Sequence, residues 1–557
     1  MVEISGIGSP IICARFFNRN GSPLTNPVLV GPTSAAPVDW MESYISVAIS
    51  NSHKAVVAWH GMGDSSYRTF AQLVDPANLP IPWDPITVGS DSNADYLYPT
   101  VAMDQTGRTV IAWLKSTSLM SSLTGLSGTA MFQRFETDFT KRGGALSAGD
   151  AAGIPVVAWS SASNTFLLSA HTAEGHISAS TFAFDTGIRL VDPFKVDARW
   201  NGHQHRPIVV PGANGEFMVS WMDDVTLGSQ TGSIVTAQVF RGDFVPENID
   251  FTVSTQTSID QDNVPDLALN VEGFGFSAGG SGNNSMAVVW QKTEGIAFQR
   301  VSAGPFDCPQ PNDCKTAVPW RITGPTADKL NVLLGPGNAL DGGGQPQNPF
   351  HDELEFSRMA VEAVVNGLFV NDVIRQNAGK INFFRGTENG TATDDQACTT
   401  SMPYYNRVLY NFLDVMGNFM KGPMNHRDSC TPSFGREFAV ITGGGWDPNI
   451  MHNVTHEFSH SAFSLSDEYD CSADGLTARV ELSYPHIPNL YGSLENCQNR
   501  SAHPADCVAL AGCAAMGRNW YVADKNEPLP DIMSVGNGLQ YKEDCERNPK
   551  RILAEKK

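Results

Sequence analysis

Residues 55–74, "AVVAWHGMGDSSYRTFAQLV", join a short β-rich run ending in Trp59 to a second β-like run, and the pairing recurs along the chain. "TVIAW" ends at Trp113, "PVVAW" at Trp159, "FMVSW" at Trp221 and "AVVW" at Trp290. The runs that follow them are "TAMFQRF" (129–135), "HISASTF" (176–182), "SIVTAQVF" (233–240) and "GIAFQRV" (295–301). Before three of the Trp runs stands another apolar run: "YISVAIS", "YPTVAMD" and "RPIVVPG". The Trp-to-Trp spacings are 54, 46, 62 and 69 residues. Repeats of this length, built from three or four strands, are the signature of β-propeller blades. One blade cannot bury both of its faces, so it stacks on its neighbours. The repeated Trp is then expected to pack between blades rather than to bind a ligand. Five units are present. A sixth, partial one, "IICARFFNRNG" (11–21), is expected to complete the last blade, or to mark an N-terminus truncated within a unit.

These repeats resemble the "aqrF…dG.p…" units of large bacterial surface proteins. The sialidase-type "SxDxGxTW" box is absent from the sequence, and the propeller region is assigned no chemistry. The bulk composition agrees with a folded chain of several domains: 557 residues, 41% hydrophobic and 17% charged, with 51 Gly and 34 Pro for turns. A net charge of −21 argues against nucleic acid or an anionic membrane as the main partner. No apolar run reaches the length of a membrane span, about 18 residues. The opening residues "MVEISGIGSPIICARFF" do not read as a signal peptide. Nine of the ten cysteines fall after residue 307, which predicts disulfides and an oxidising compartment. No CxxC pair occurs, so a zinc-finger reading is poor.

The grammar changes after residues 303–328, where Pro, Gly and the close pair Cys308 and Cys314 read as a linker. "KLNVLLG" (329–335), "KINFFRG" (380–386) and "EFAVITGGGW" (437–446) read as strands. Residues 352–372, 404–420 and about 449–463 read as helices, which predicts an α/β or α+β layered domain.

The last of these helices carries "HNVTHEFSHSAFSLSDEYD" (452–470). His456-Glu457-Phe458-Ser459-His460 is HExxH, which sets two imidazoles one turn apart on one helix face. His456 and His460 are therefore the expected zinc ligands. Glu457 is the expected general base for a water whose pKa the zinc lowers. His452 lies one turn earlier and reads as a neighbour of the site or a surface residue. A third ligand must come from the acidic residues that follow. On a straight helix Asp467 would lie about 16 Å beyond His456, so the helix must break near 463–466 for Asp467 or Glu468 to reach the same ion.

HExxHxxxxLxDEY, here His456, Glu457, His460, Leu465, Asp467, Glu468 and Tyr469, resembles the extended motif of the bacterial IgA-peptidase-type zinc metallopeptidases. The resemblance covers roughly residues 325–545, and the family's usual Gly before the second His is Ser459 here. It implies a secreted or cell-surface zinc endopeptidase with Zn2+ as cofactor. It also implies Asp467 as third ligand, with Glu468 as the alternative. Tyr469 becomes a substrate or transition-state contact, or else a residue that packs the turn. Met533, in "PDIMSVGN" (530–537), becomes a Met-turn beneath the metal, with Met516 as its competitor and a plain core methionine as the other reading.

The expectation is thus a multidomain chain. An N-terminal all-β propeller-like repeat domain spans 1–303, a linker 304–328, and a zincin-like α/β (α+β) metallopeptidase domain with a Cys-rich end 329–557. Its partner is a protein or glycoprotein substrate, recruited by the propeller. The competing expectation is an adhesin or glycan-binding surface protein with a degenerate peptidase domain.

Overall fold

The computed structural model describes, with short internal gaps, residues 2–4, 12–31, 45–252, 285–302, 317–393, 412–465, 493–509 and 540–556, and the pieces 265–266, 521–522 and 533. The described residues among the first 302 form six antiparallel sheets, each a meander in chain order. Sheet one spans residues 2–30 and has three strands. Sheets two (45–89), three (95–151), four (156–195) and five (204–252) have four each. Sheet six (265–302) has three. Residues 12–14, from the partial unit expected either to complete the last blade or to mark a truncated N-terminus, pair with Val2–Ile4 and Val28–Val30 in a sheet of their own.

The run "AVVAW" explains the stacking. Side chains alternate faces along a strand. Ala55, Val57 and Trp59 fall in one buried cluster with Ile12, Phe16 and Val30 of sheet one. Val56 and Ala58 fall in another with Tyr96, Ile111 and Trp113 of sheet three. A strand buried on both faces needs an unbroken apolar run rather than an alternating one. The pattern repeats: Trp159 packs with Val110, Ala112 and Phe132 of sheet three, and Trp221 with Leu167 and Phe194 of sheet four. Trp59, Trp113, Trp159 and Trp221 therefore each fill the junction with the preceding sheet. The Trp290 side chain lies outside the described residues.

Trp159 is one strand out of step. It sits in the first strand of its sheet, Val156–Ser160, whereas Trp59, Trp113 and Trp221 sit in the second. This shift accounts for the short spacing of 46 followed by the long one of 62. It also explains why no apolar run precedes "PVVAW".

The C-terminal region holds a mixed sheet. In spatial order its main strands are Ala317–Arg321, Ile381–Gly386, Leu330–Leu340, Val415–Lys421, Glu437–Thr442 and His426–Cys430. The inner four are parallel and the two edges antiparallel. Helix Glu353–Glu362, capped by the Asp352 carboxylate accepting from the Glu355 amide, continues as a π-helical turn at Ala363–Gly367. This matches the helix expected from 352.

Two expectations need correction. Residues 415–421, read as the end of a helix, are a central parallel strand. An apolar run buried on both faces carries no period that separates strand from helix. Ala317–Arg321, placed in the linker, pairs with Ile381–Gly386 and so belongs to the sheet. Cys308 and Cys314 lie outside the described residues. A disulfide joins Cys497 and Cys507.

Ala198 and Ile249 share one buried cluster with the C-terminal core. Trp320 Nε1 donates to the Pro246 carbonyl (3.1 Å) and Asn366 Nδ2 to that of Ala198 (2.7 Å). The Arg358 guanidinium lies 4.5 Å from the Phe194 ring centroid, and Arg241 pairs with Glu353. No described helix is long and apolar enough to cross a membrane.

Candidate metal centre

Helix Pro448–Phe463 follows strand Glu437–Thr442 and packs on it. Ile450, Val454, Phe458 and Ala462, four residues apart, form the stripe that enters the core. Phe458 meets Phe438 edge to face at 6.1 Å. Gly367 of the π-helical turn lies against the same helix: a Cβ there would stand 3.1 Å from the Met451 carbonyl oxygen. The helix is buried on its other faces too. His452, Thr455, His456, Glu457, Ser459, His460 and Ser461 are all at most 7% exposed. Seven buried polar residues on one helix are costly unless they have partners, and such burial marks a site rather than a solvated face.

His456 Nε2 and His460 Nε2 stand 3.1 Å apart. Two ligands of a tetrahedral zinc, each about 2.0–2.1 Å from it, are separated by about 3.3 Å. One donor atom each from His456, Glu457 and His460 lies within 4.8 Å of the others, and a Glu457 oxygen is 4.0 Å from His456 Nε2. His460 Nδ1 bonds the Leu465 carbonyl at 2.6 Å. A carbonyl only accepts, so Nδ1 carries the proton and Nε2 presents its lone pair to the site. The donor set fits zinc. His452, buried rather than on the surface, has its ring 5.8 Å from that of His456. Ser459, where the resembling motif has Gly, donates its hydroxyl to the Thr455 carbonyl (2.6 Å) within the same helix turn.

The helix ends at Phe463, whose carbonyl accepts from Asn548 Nδ2, and Leu465 is no longer helical. The Leu465 amide turns back toward the Ser459 carbonyl (3.5 Å). The break required before Asp467 is therefore present, and the chain two residues before Asp467 is held against the His460 ring. Asp467, Glu468, Tyr469 and Met516 lie outside the described residues. Met533 is fully buried in the cluster that holds Val454, Phe458 and Ala462. The feature that sequence reading missed is the Leu465 carbonyl that orients His460. A backbone group leaves no mark in residue identities.

No known protein-family model matches the chain, and no curated protein matches it. Among solved structures it is similar to TolB from Acinetobacter baumannii, with 11% identity over 54% of this chain and 61% of that one and a TM-score of 0.28. It is similar to Penicillium chrysogenum α-L-arabinanase complexed with arabinobiose, at 8% identity over 50% and 82% of the two chains with a TM-score of 0.33. A third is Trypanosoma rangeli sialidase in complex with the inhibitor DANA, at 10% identity over 53% and 52%, TM-score 0.31. The matches span less than two thirds of the TolB and sialidase chains.

Proposed function

We propose that the chain is a zinc-dependent metalloendopeptidase acting on extracellular or cell-surface proteins, with the β-sheet repeat region recruiting the substrate. The observation that carries this reading is the pair of buried Nε2 atoms 3.1 Å apart, with Glu457 beside them on one helix. His456 and His460 hold the ion, and Asp467, by its place in the motif, completes the set. Zinc held there supplies a Lewis acid that acidifies a water and polarises a carbonyl. Glu457, 5% exposed, accepts the proton of the attacking water and delivers it to the amine nitrogen as the C–N bond breaks. Its burial keeps that transfer away from bulk solvent. Tyr469 is placed by the motif to contact the substrate, and Met533 packs beneath the helix.

The test is Glu457→Gln in the full chain. Zinc content per chain is expected to be unchanged while cleavage of a peptide library falls by about 10²–10⁴-fold. Cleavage at the wild-type rate would overturn the mechanism.

A further inference from the structure

A second group of metal-ligating side chains lies far from HExxH in the sequence, at the junction of sheets four and five. His203 immediately precedes strand Gln204–Pro211, which opens with Gln204 and His205. The two imidazoles lie side by side, with ring centroids 5.1 Å apart. Asp224, on the adjoining strand Phe217–Leu227, donates its amide to the His203 carbonyl at 3.0 Å. Its carboxylate stands 3.5 Å from His203 Nδ1 and 3.3 Å from His205 Nε2. One ligand atom from each of His203, His205 and Asp224 lies within 4.8 Å of the other two.

His171, the last residue of strand Thr165–His171 in sheet four, brings a further imidazole. Its ring centroid is 4.7 Å from that of His203 and 6.5 Å from that of His205. Its Nδ1 bonds the Ala152 carbonyl at 3.1 Å, which leaves Nε2 as the bare lone pair. That Nε2 is buried and has no hydrogen-bond partner. A buried acceptor without a partner needs an explanation, and an imidazole anchored by its other nitrogen to a carbonyl is the usual arrangement of a metal ligand.

The backbone is shaped around this group. The pairing of Gln204–Pro211 with its neighbour shifts register between His205 and Ile208, and Arg206 there has φ 51°. Such a bulge re-aims the side chains beside it. Gln204 donates to the Asp223 carboxylate (2.9 Å), which also pairs with Arg199 (2.6 Å), so Gln204 is held by a network of its own. The junction of sheets two and three offers a control. Tyr98 has φ 53° at the same kind of shift, and His60, on the second strand of sheet two as His171 is on that of sheet four, accepts from the Tyr98 amide at 3.3 Å. The rings of Tyr67 and Tyr98 pack on His60, so aromatic contacts take the place that imidazoles and a carboxylate take at the later junction.

We propose that His203, His205 and Asp224 bind a zinc-class divalent transition-metal ion, with His171 as a fourth donor from the neighbouring sheet. Imidazole and carboxylate donors suit zinc, nickel and copper rather than calcium or magnesium. The ion would cross-link two consecutive sheets.

The experiment uses the full chain, stripped with chelator and titrated with Zn2+ alone. Wild type is expected to bind two equivalents, and His203→Gln, an exposed position that leaves the packing intact, one. A chain disabled at HExxH by His456→Ala and His460→Ala is expected to retain one equivalent and a Zn2+-dependent rise in Tm. Adding Asp224→Asn to that chain should abolish both. If the HExxH-disabled chain binds no zinc while remaining folded by circular dichroism, or if His203→Gln leaves wild-type stoichiometry unchanged, the cluster is only a hydrogen-bonded group and the proposal fails. Loss of proteolysis alone would bear on the HExxH reading and not on this one.

Discussion

His460 shows how much one residue depends on atoms that sequence does not encode. Its place in HExxH was legible, as was that of His456 and Glu457. Its ring orientation is set by the Leu465 carbonyl, which reaches it only because the helix stops at Phe463. Ser459 is the neighbouring test of what the motif requires. Its hydroxyl donates to the Thr455 carbonyl inside the helix. Ser459→Gly is therefore expected to keep zinc content and cleavage rate. It should lower the unfolding free energy by about 1 kcal/mol, through greater backbone freedom and the lost hydrogen bond. Urea unfolding alongside metal analysis checks this; a loss of zinc would show that Ser459 shapes the site. The histidines at 171, 203 and 205 were not legible in this way. They come from two sheets, and no fixed spacing joins them to Asp224.

Elements were legible where period or repetition spoke, and misread where burial removed the period. The Trp runs revealed the sheets because each apolar run serves two junctions. Trp159 still hid its displacement by one strand, since "PVVAW" looks like every other copy. Residues 415–421 were misread as helix although they contain a warning, Gly417, which is unfavourable in a helix interior by about 0.5–1 kcal/mol relative to Ala. In the sheet that glycine has a reason. A Cβ at 417 would stand 2.4 Å from Phe438 Cζ, and Phe438 is fully buried on the strand that leads toward the site helix. Gly417→Val is expected to destabilise by at least about 1–3 kcal/mol, the usual cost of overpacking a core. Because Phe438 also supports Phe458, zinc affinity should fall with stability. Differential scanning calorimetry with and without zinc reads both. An unchanged melting temperature would mean that Phe438 moves aside freely.

At the scale of the molecule, the two kinds of grammar in the sequence correspond to two kinds of packing that share one core cluster. Ala198 and Ile249, from the sheet repeats, lie in the same buried group as the strands and helices of the C-terminal sheet. The sequence marked the change of grammar but not this contact, because the residues that make it lie far apart in the chain: 74 positions separate Trp320 from Pro246, and 168 separate Asn366 from Ala198. Trp320 is the joint. It is 3% exposed, stands on the edge strand Ala317–Arg321, and donates its indole N–H to the Pro246 carbonyl. A buried aromatic that also makes a hydrogen bond across the contact couples the stability of both sides. Trp320→Ala is expected to cost about 3–5 kcal/mol. The loss falls at the contact, so the effect should be more than a lower midpoint. Wild type is expected to melt in a single cooperative transition, and the variant in two. HExxH zinc should raise only the one that belongs to the C-terminal sheet, because a ligand stabilises the unit that binds it. Calorimetric traces of the two proteins, with the HExxH site loaded or disabled, separate these outcomes. A single transition in Trp320→Ala would show that the other contacts, Asn366 to Ala198 and Arg358 on Phe194, suffice to hold the two packings together.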